Sequence, residues 1–287
     1  MIYDSGAAWT AAPSKRVLLF GMSGLGKTRL AALLRAAGGW FHYSIDYRIG
    51  TRYMGEHIAD NFKREAMRVP LLRELLLSDS VYIQSNITFE NLAPLSTYLG
   101  KPGDPTKGGL PFDEYMRRQE QHRAAEIAAL SDTVPFIDRA EALYGYRNFV
   151  CDTGGSICEV VDPDDPEDPL LTMLTRHLLF VWIEGDARHT SDLIRRFDRA
   201  PKPMYYRPDF LNAQWNAYLD AEAADGDDVD PDAFVRWTYA RALAHRQPLY
   251  AAIARNWGVT VSAAEAAAVT DADDFTALVA RALDRRA

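Results

Sequence analysis

The sequence predicts an α/β fold, a three-layer sandwich around a mainly parallel five-stranded sheet, with a helical inserted subdomain. Short apolar runs have the length of buried strands, and helical patterns lie between them. Strand, turn and helix in alternation favour parallel strands, because crossover helices cover both faces of such a sheet. The predicted strands are Arg16–Phe20, 40–45, 148–151, 178–183 and 259–262, and the clearest helical patterns are 28–37 and 248–256.

A long segment separates the second and third predicted strands. Residues 53–147 contain helix-like stretches around 55–78 and 112–130, so we expect an inserted helical subdomain. Between these stretches, the sequence from Gly100 onward is rich in glycine and proline and predicts an exposed loop. The insertion interrupts one domain that spans residues 1–287.

A second long segment precedes the last strand. Residues 187–245 are predicted to form a lid followed by a second helical insertion, with aromatic-rich helical patterns on either side of an acidic run at 225–232. Blocks of like charge repel one another and rarely pack, so this run is expected to be a solvated loop.

The composition is that of an ordinary globular chain. It is 48% hydrophobic with a net charge of −8, which argues against a protein that coats nucleic acid through Lys and Arg. The two cysteines form neither a disulfide framework nor a zinc pattern, which fits a reducing cytoplasm. We find no signal peptide and no apolar stretch that would cross a bilayer, so we expect a cytoplasmic protein.

A glycine-rich segment follows the first predicted strand. Residues 21–28, GMSGLGKT, match the P-loop pattern G-x-x-x-x-G-K-[ST] at every fixed position. The glycines let the backbone curl so that N–H groups point at a β-phosphate, and the following helix adds its positive end. Lys27 is expected to reach the β- and γ-phosphates, and the Thr28 hydroxyl to bind Mg²⁺. The sequence thus predicts a P-loop NTPase fold that binds ATP and Mg²⁺ through Gly21, Ser23, Gly24, Leu25, Gly26, Lys27 and Thr28.

A carboxylate and two glycines follow the third predicted strand. Asp152 lies where P-loop proteins carry the Asp that organises Mg²⁺, although an Asp at a strand end is alternatively a simple helix cap. Gly154 and Gly155 would let a ligand approach the backbone at the carboxyl end of the sheet, or form an ordinary turn. We expect Asp152 to be catalytic and to bind the metal, and both glycines to contact substrate.

Five short fragments follow one another along the chain. They are Ser44-Ile-Asp46, Met116-Arg-Arg-Gln-Glu120, Gly154-Gly-Ser156, Arg207-Pro-Asp-Phe-Leu211 and Arg246-Gln-Pro-Leu-Tyr250. Together and in this order they resemble motifs of the shikimate kinase family of P-loop small-molecule kinases. The first stands where the family has D-x-D, and the second is similar to F-R-x-x-E. The third resembles the family's glycine triplet, and the last two are similar to R-P-x-L and R-x-P-L-Y.

The resemblance implies a role for several polar residues. Asp46 would orient or deprotonate the acceptor hydroxyl, and Arg117 and Arg246 would bind an anionic group of the substrate. Arg207 would act from the lid. The chemistry agrees, because an acceptor alcohol needs a group to take its proton, and arginine holds carboxylate or phosphate through two parallel hydrogen bonds. The first insertion falls in the family's acceptor-binding region, so the identity of the acceptor stays open.

Three arginines precede the predicted lid. One of Arg195, Arg196 and Arg199 is expected to stabilise charge on the transferring phosphoryl group or to lie near the adenine. We assign Arg196 and Arg199 to nucleotide binding. The alternative is that the cluster is a solvated helix face.

The leading functional hypothesis is a P-loop kinase that uses Mg²⁺ and ATP to phosphorylate a hydroxyl of a small, anionic molecule. A second hypothesis is an ATPase or switch with a macromolecular partner, in which Trp215, Trp237 and Tyr239 are contacts. A third is a kinase of a nucleotide or sugar nucleotide, which would need a wider, more basic acceptor cleft.

Overall fold

The structure is a computed structural model that describes residues 1–286. These residues form two compact units. The first, called the sheet unit, comprises Met1–Ile45, Ile127–Pro201 and the chain from Arg236 onward. The second, called the helical unit, comprises Asp46–Glu126 and Lys202–Val235.

Helices account for most of the chain outside the sheet. Within residues 1–286 no helix combines the length and the apolar character that crossing a bilayer requires. A π-helix covers Ile49–Tyr53. The α-helices are α1 (Gly6–Ala11), α2 (Lys27–Ala37), α3 (Ile45–Arg48), α4 (Gly55–Ala66), α5 (Pro70–Leu77), α6 (Ala93–Leu99), α7 (Phe112–Ser131), α8 (Thr133–Tyr144), α9 (Pro169–Thr175), α10 (Ala187–Arg199), α11 (Pro208–Glu222), α12 (Pro231–Trp257), α13 (Ala263–Ala268) and α14 (Ala272–Arg286).

The sheet has the five parallel strands that the apolar runs predict. Each observed strand agrees with its prediction to within one residue at either end. The order is β2-β3-β1-β4-β5, so the strand that leads into the P-loop lies at the centre. The strands are β1 (Arg16–Phe20), β2 (Trp40–Ser44), β3 (Asn148–Asp152), β4 (Leu179–Glu184) and β5 (Gly258–Ser262).

Helices cover both faces of this sheet, as the alternation of side chains along β2 shows. Phe41 and Tyr43 contact Phe136 of α8, with ring centroids 6.4 and 4.9 Å apart. Trp40, which points the opposite way, contacts Phe275 of α14 at 6.0 Å. The sheet unit is therefore the predicted three-layer α/β sandwich, and burial on both faces explains why its strands are nearly continuous apolar runs.

The helical unit has a long helix with a polar buried face. On α7 the amide of Gln119 accepts a hydrogen bond from Tyr206 N at 2.9 Å and donates to Met204 O at 3.2 Å. The Tyr115 hydroxyl donates to the same Met204 carbonyl at 3.3 Å. The chain just before Arg207 is thus attached to α7 rather than forming a free loop. The boundaries predicted for the insertions, 53–147 and 187–245, stay predictions.

The glycine-rich stretch after α6 is not the fully exposed loop that its composition predicts. Pro102 and Gly103 are buried. Asp104 N donates to Val229 O at 2.8 Å, so this stretch packs against the acidic run. Within that run most aspartates are exposed, as predicted, whereas Val229 is only 2% exposed. The composition indicates a turn at this stretch, but its burial depends on the contact with Val229, which the composition does not indicate.

Replacement of Gly103 by alanine is expected to destabilise the protein by about 2–4 kcal/mol. Gly103 has φ +131°, and an added Cβ would lie 2.3 Å from Val229 O. Gly108→Ala is a matched control, because Gly108 has φ +81° but open space around its Cβ position. We expect only about 1 kcal/mol for the control. Urea unfolding would measure both, and equal losses would contradict the packing of Gly103 on Val229.

Candidate active site

The P-loop lies between the end of β1 and the start of α2. Gly21, Gly24 and Gly26 have φ of +132°, +85° and +97°, which non-glycine side chains rarely adopt. A Cβ on Gly21 would lie 2.7 Å from Ile183 O, whereas at Gly26 nothing lies within 4 Å. Since α2 begins at Lys27 with no side-chain cap, its backbone N–H groups suit a triphosphate.

Lys27 lies within the curve of this loop. It is only 6% exposed. Its ammonium donates hydrogen bonds to Gly21 O at 2.8 Å and Met22 O at 2.9 Å. Thr28, the next residue, is exposed in the first turn of α2. The loop, its lysine and its hydroxyl residue therefore have the arrangement of a P-loop, and the binding of Mg²⁺ by Thr28 stays a prediction.

One arginine of the predicted cluster contacts the P-loop. A Cβ on Gly24 would lie 2.7 Å from Nη2 of Arg196, so this guanidinium lies directly against the loop. Arg195 instead forms an ion pair with Asp192. Arg199 is exposed at the end of α10. Arg196 thus lies beside the P-loop, and the nucleotide roles of Arg196 and Arg199 stay predictions.

Asp152 ends β3 at the carboxyl edge of the sheet. It is in register with Ser44 on β2 and with Leu19 on β1, two residues before the P-loop. Its carboxylate Oδ2 lies 3.6 Å from His42 Nε2, and both side chains are buried. No cluster of three His, Cys, Asp or Glu side chains suited to a metal occurs among residues 1–286. This is compatible with Mg²⁺, which proteins bind through one or two carboxylates together with phosphates and water.

The glycines after β3 pass beside the P-loop. Thr153 anchors the segment, because its hydroxyl donates to Leu19 O at 2.9 Å. A Cβ on Gly155 would lie 3.5 Å from Ser23 N, so the two backbones lie close to each other. Gly154 is buried and Gly155 is partly exposed. The structure thus brings this pair to the P-loop, and their contact with a substrate stays a prediction.

Arg246 lies on α12 next to the same glycines. Its Nη1 donates to Gly155 O at 3.1 Å and its Nε to Glu159 Oε1 at 2.7 Å. Tyr250, one turn further along, also donates to Gly155 O. Burial alone would raise the pKa of Glu159, but His245 and Arg246 lower it to about 2, so the carboxylate is ionised at neutral pH. Arg246 therefore has a buried counterion, and its predicted contact with substrate remains a prediction.

On α7 the buried arginine is not the predicted one. Arg117 is half-exposed and forms a two-point ion pair with Glu114, with distances of 2.7 Å. Arg118 is 6% exposed and binds Glu114, the Tyr98 carbonyl and Asn61. The hydrogen bond from Arg117 and the charge of Arg118 lower the pKa of Glu114 to about 2. An anionic ligand would have to compete with Glu114 for Arg117.

Asp46 and Arg207, the remaining predicted site residues, lie in the helical unit. Asp46 is in the first turn of α3, two residues after Ser44. Arg207 precedes Pro208, the first residue of α11, so the Arg-Pro pair starts a helix. Among the aromatic residues proposed as partner contacts, Trp215 stacks on Phe112 and is 5% exposed. Tyr239 of the sheet unit is equally buried, while Trp237 lies under Arg241.

Sequence reasoning assigned no site role to three residues that lie beside predicted site residues. Glu159 was detectable, because it is a single carboxylate within the apolar run 157–161, and such a residue needs a partner when buried. Tyr239 stacks on Phe197 with centroids 3.8 Å apart. Burial raises its pKa, and the charges of Arg246 and Arg196 partly offset this, so its hydroxyl is uncharged at neutral pH. His42 is the buried neighbour of Asp152.

Comparison with known proteins gives a likeness to solved structures. No family model matches the chain, and no curated protein matches it. Among solved structures, the chain is similar to a shikimate kinase from Bacteroides thetaiotaomicron, with 16% sequence identity and a TM-score of 0.39. The match covers 93% of this chain and 95% of the other. The P-loop and the sheet order, rather than this overall likeness, define the fold class.

Proposed function

We propose that this protein is an ATP-dependent kinase that transfers the γ-phosphoryl group to a hydroxyl of a small molecule. The observation that supports it most is the set of groups around the P-loop. Lys27, the Arg196 guanidinium and the Gly155 backbone all lie against that loop at the carboxyl end of the sheet. Positive groups held in place around transferring phosphates are the main source of catalysis in phosphoryl transfer.

Nucleotide binding is assigned to the sheet unit. The P-loop N–H groups and Lys27 would hold the phosphates, and Arg196 would balance charge that develops during transfer. Thr28 and Asp152 are the groups that would hold Mg²⁺. When bound, this ion neutralises the triphosphate and fixes its geometry. Asp152 lies on the strand next to β1, so a carboxylate is available close to the start of the loop.

Acceptor binding is assigned to the helical segments. We propose that Asp46 takes the proton of the acceptor hydroxyl, and that Arg117, Arg207 and Arg246 bind an anionic group of the acceptor. Residues 53–147 would select the acceptor, and 187–245 would close over the site and limit hydrolysis by excluding water. Support comes from the sequence order of the motifs and from the position of Asp46 directly after β2.

A labelled-phosphate screen tests the kinase assignment. The protein would be incubated with γ-labelled ATP, Mg²⁺ and an extract of small metabolites, with shikimate tested separately. We expect label in a new small molecule with the native protein, and none with Lys27→Ala or after chelation of Mg²⁺. Asp46→Asn should bind ATP normally but transfer little label, because it lacks the proposed base.

Asp60→Asn is the control for Asp46→Asn, because each variant removes one negative charge from the helical unit. Asp60→Asn removes an exposed carboxylate, 62% accessible, from α4, and we expect it to leave transfer unchanged. Full transfer by Asp46→Asn would exclude that residue as the base. Phosphate release without any labelled acceptor would contradict the kinase assignment.

An ATPase or switch with a macromolecular partner is the second candidate. One observation favours it: α5 has no buried residue, and Leu71 and Leu77 are 64% and 72% exposed. Exposed apolar groups of this size are typical of surfaces that contact other molecules. Against it, Trp215 and Tyr239 are packed internally. The screen separates the two candidates, because only a kinase labels a small molecule.

A further inference from the structure

The carbonyl of Gly155 is held by two side chains from a single helix face. The Tyr250 hydroxyl and Arg246 Nη1 both donate to it, and the two residues are four apart on α12, so their side chains point the same way. The carbonyl belongs to a glycine that lies close to Ser23, because a Cβ added to it would be 3.5 Å from Ser23 N. These two hydrogen bonds therefore determine where the glycine segment lies beside the P-loop.

The same arginine also holds the segment at a second point. Glu159 lies four residues after Gly155, in the short helical turn Ile157–Glu159, and it accepts from Arg246 Nε at 2.7 Å. Arg246 thus bridges the carbonyl at one end of the segment and the carboxylate at the other. His245 Nε2 lies 3.7 Å from the second carboxylate oxygen. A rigid guanidinium with two separate hydrogen-bond partners fixes both the position and the direction of the segment.

Burial makes this arrangement costly to disturb. Arg246 is 3% exposed and Glu159 is 1% exposed. Removal of one partner would leave an uncompensated charge in the interior, whereas removal of both partners would leave none. A variant that lacks both charges should therefore regain stability. If it still binds nucleotide weakly, the weak binding results from lost positioning and not from lost stability.

We infer that Glu159, Arg246 and Tyr250 are positioning residues that hold Gly155 against Ser23 and so fix the shape of the P-loop for the triphosphate. This inference rests on the proposed ATP site. It gives Arg246 a task in addition to the anion binding proposed above. It also gives Glu159, which no motif covers, a role in nucleotide binding.

Nucleotide titration and selective labelling test the inference together. In protein labelled with ¹⁵N-serine, Tyr250→Phe and Glu159→Gln should shift the amide resonances of Ser23 and Ser156. Ser156 is a reporter because its N–H shares a peptide bond with the Gly155 carbonyl. Both variants should also weaken binding of a fluorescent ATP analogue with Mg²⁺ about tenfold. Asp168→Asn is the control, because Asp168 is a buried carboxylate of the same unit that caps α9 and accepts from Asp162 N at 2.8 Å. It should destabilise the protein without moving either amide signal.

A double variant distinguishes positioning from stability. Glu159→Gln with Arg246→Met removes both charges, so its melting temperature should recover relative to Glu159→Gln alone, while ATP-analogue binding should stay about tenfold weaker. If the double variant regains both stability and binding of the ATP analogue, the inference is overturned. An unchanged Ser23 amide resonance in Tyr250→Phe would also overturn it. If the native protein binds no nucleotide, the proposed function fails, and the Ser23 signal, recorded without nucleotide, still decides the positioning role.

Discussion

Replacement of Lys27 by alanine is expected to lower phosphoryl transfer about a thousandfold and to weaken binding of ATP with Mg²⁺. The ammonium is held at 2.8–2.9 Å from the Gly21 and Met22 carbonyls, inside the curve where the phosphates would bind. Its removal deletes the only side-chain cation that the P-loop itself carries. Initial rates with γ-labelled ATP, together with equilibrium nucleotide titration, measure the two effects separately.

Arg29 provides the control on the same helix. Its guanidinium donates to Ala266 O at 2.6 Å and Val269 O at 3.2 Å, at the end of α13, away from the loop. Arg29→Ala should reduce stability slightly and leave ATP binding and transfer unchanged. Retention of nucleotide binding by Lys27→Ala at native strength would show that residues 21–28 are not a nucleotide site.

Replacement of Asp152 by asparagine is expected to raise the Mg²⁺ concentration for half-maximal transfer at least tenfold. The change keeps the shape of the side chain but removes the negative charge that attracts a hard cation. Because the carboxylate also faces His42 at 3.6 Å, we expect some loss of stability as well. A Mg²⁺ titration at fixed ATP, well below the melting temperature of the variant, isolates the effect on the metal.

Glu184 is a suitable comparison for Asp152. It ends β4 at the same edge of the sheet but is exposed. Glu184→Gln should leave the Mg²⁺ dependence unchanged. An unaltered dependence in Asp152→Asn, or a shift in Glu184→Gln instead, would mean that the metal carboxylate has been assigned to the wrong strand.

Local sequence carried enough information for the sheet and the P-loop. Strands buried on both faces need continuous apolar residues, so β1 to β5 are visible as runs such as Val-Leu-Leu-Phe before Gly21. The loop is equally local, because three glycines at positive φ and the start of α2 lie within eight consecutive residues. A structure that depends on residues close together in the chain can therefore be recognised from a short sequence pattern.

The choice among equivalent charged residues depended on the tertiary structure. The sequence offers Arg195, Arg196 and Arg199 on one helix, and only the packing of α10 against Gly24 selects Arg196. Likewise Arg117 and Arg118 are adjacent, and the direction of each side chain on α7 decides which one is buried. A one-residue step on a helix rotates the side chain by about 100°.

By itself, the sequence determined the parallel α/β core, its strand boundaries and a P-loop at 21–28. Only the tertiary structure decided that Glu159, Arg246 and Tyr250 meet at the Gly155 carbonyl, and that Pro102 and Gly103 are buried beside Val229. The reason is physical. Backbone conformation follows from neighbours along the chain, whereas a buried charge is stabilised by a partner that, for Glu159, lies 87 residues away.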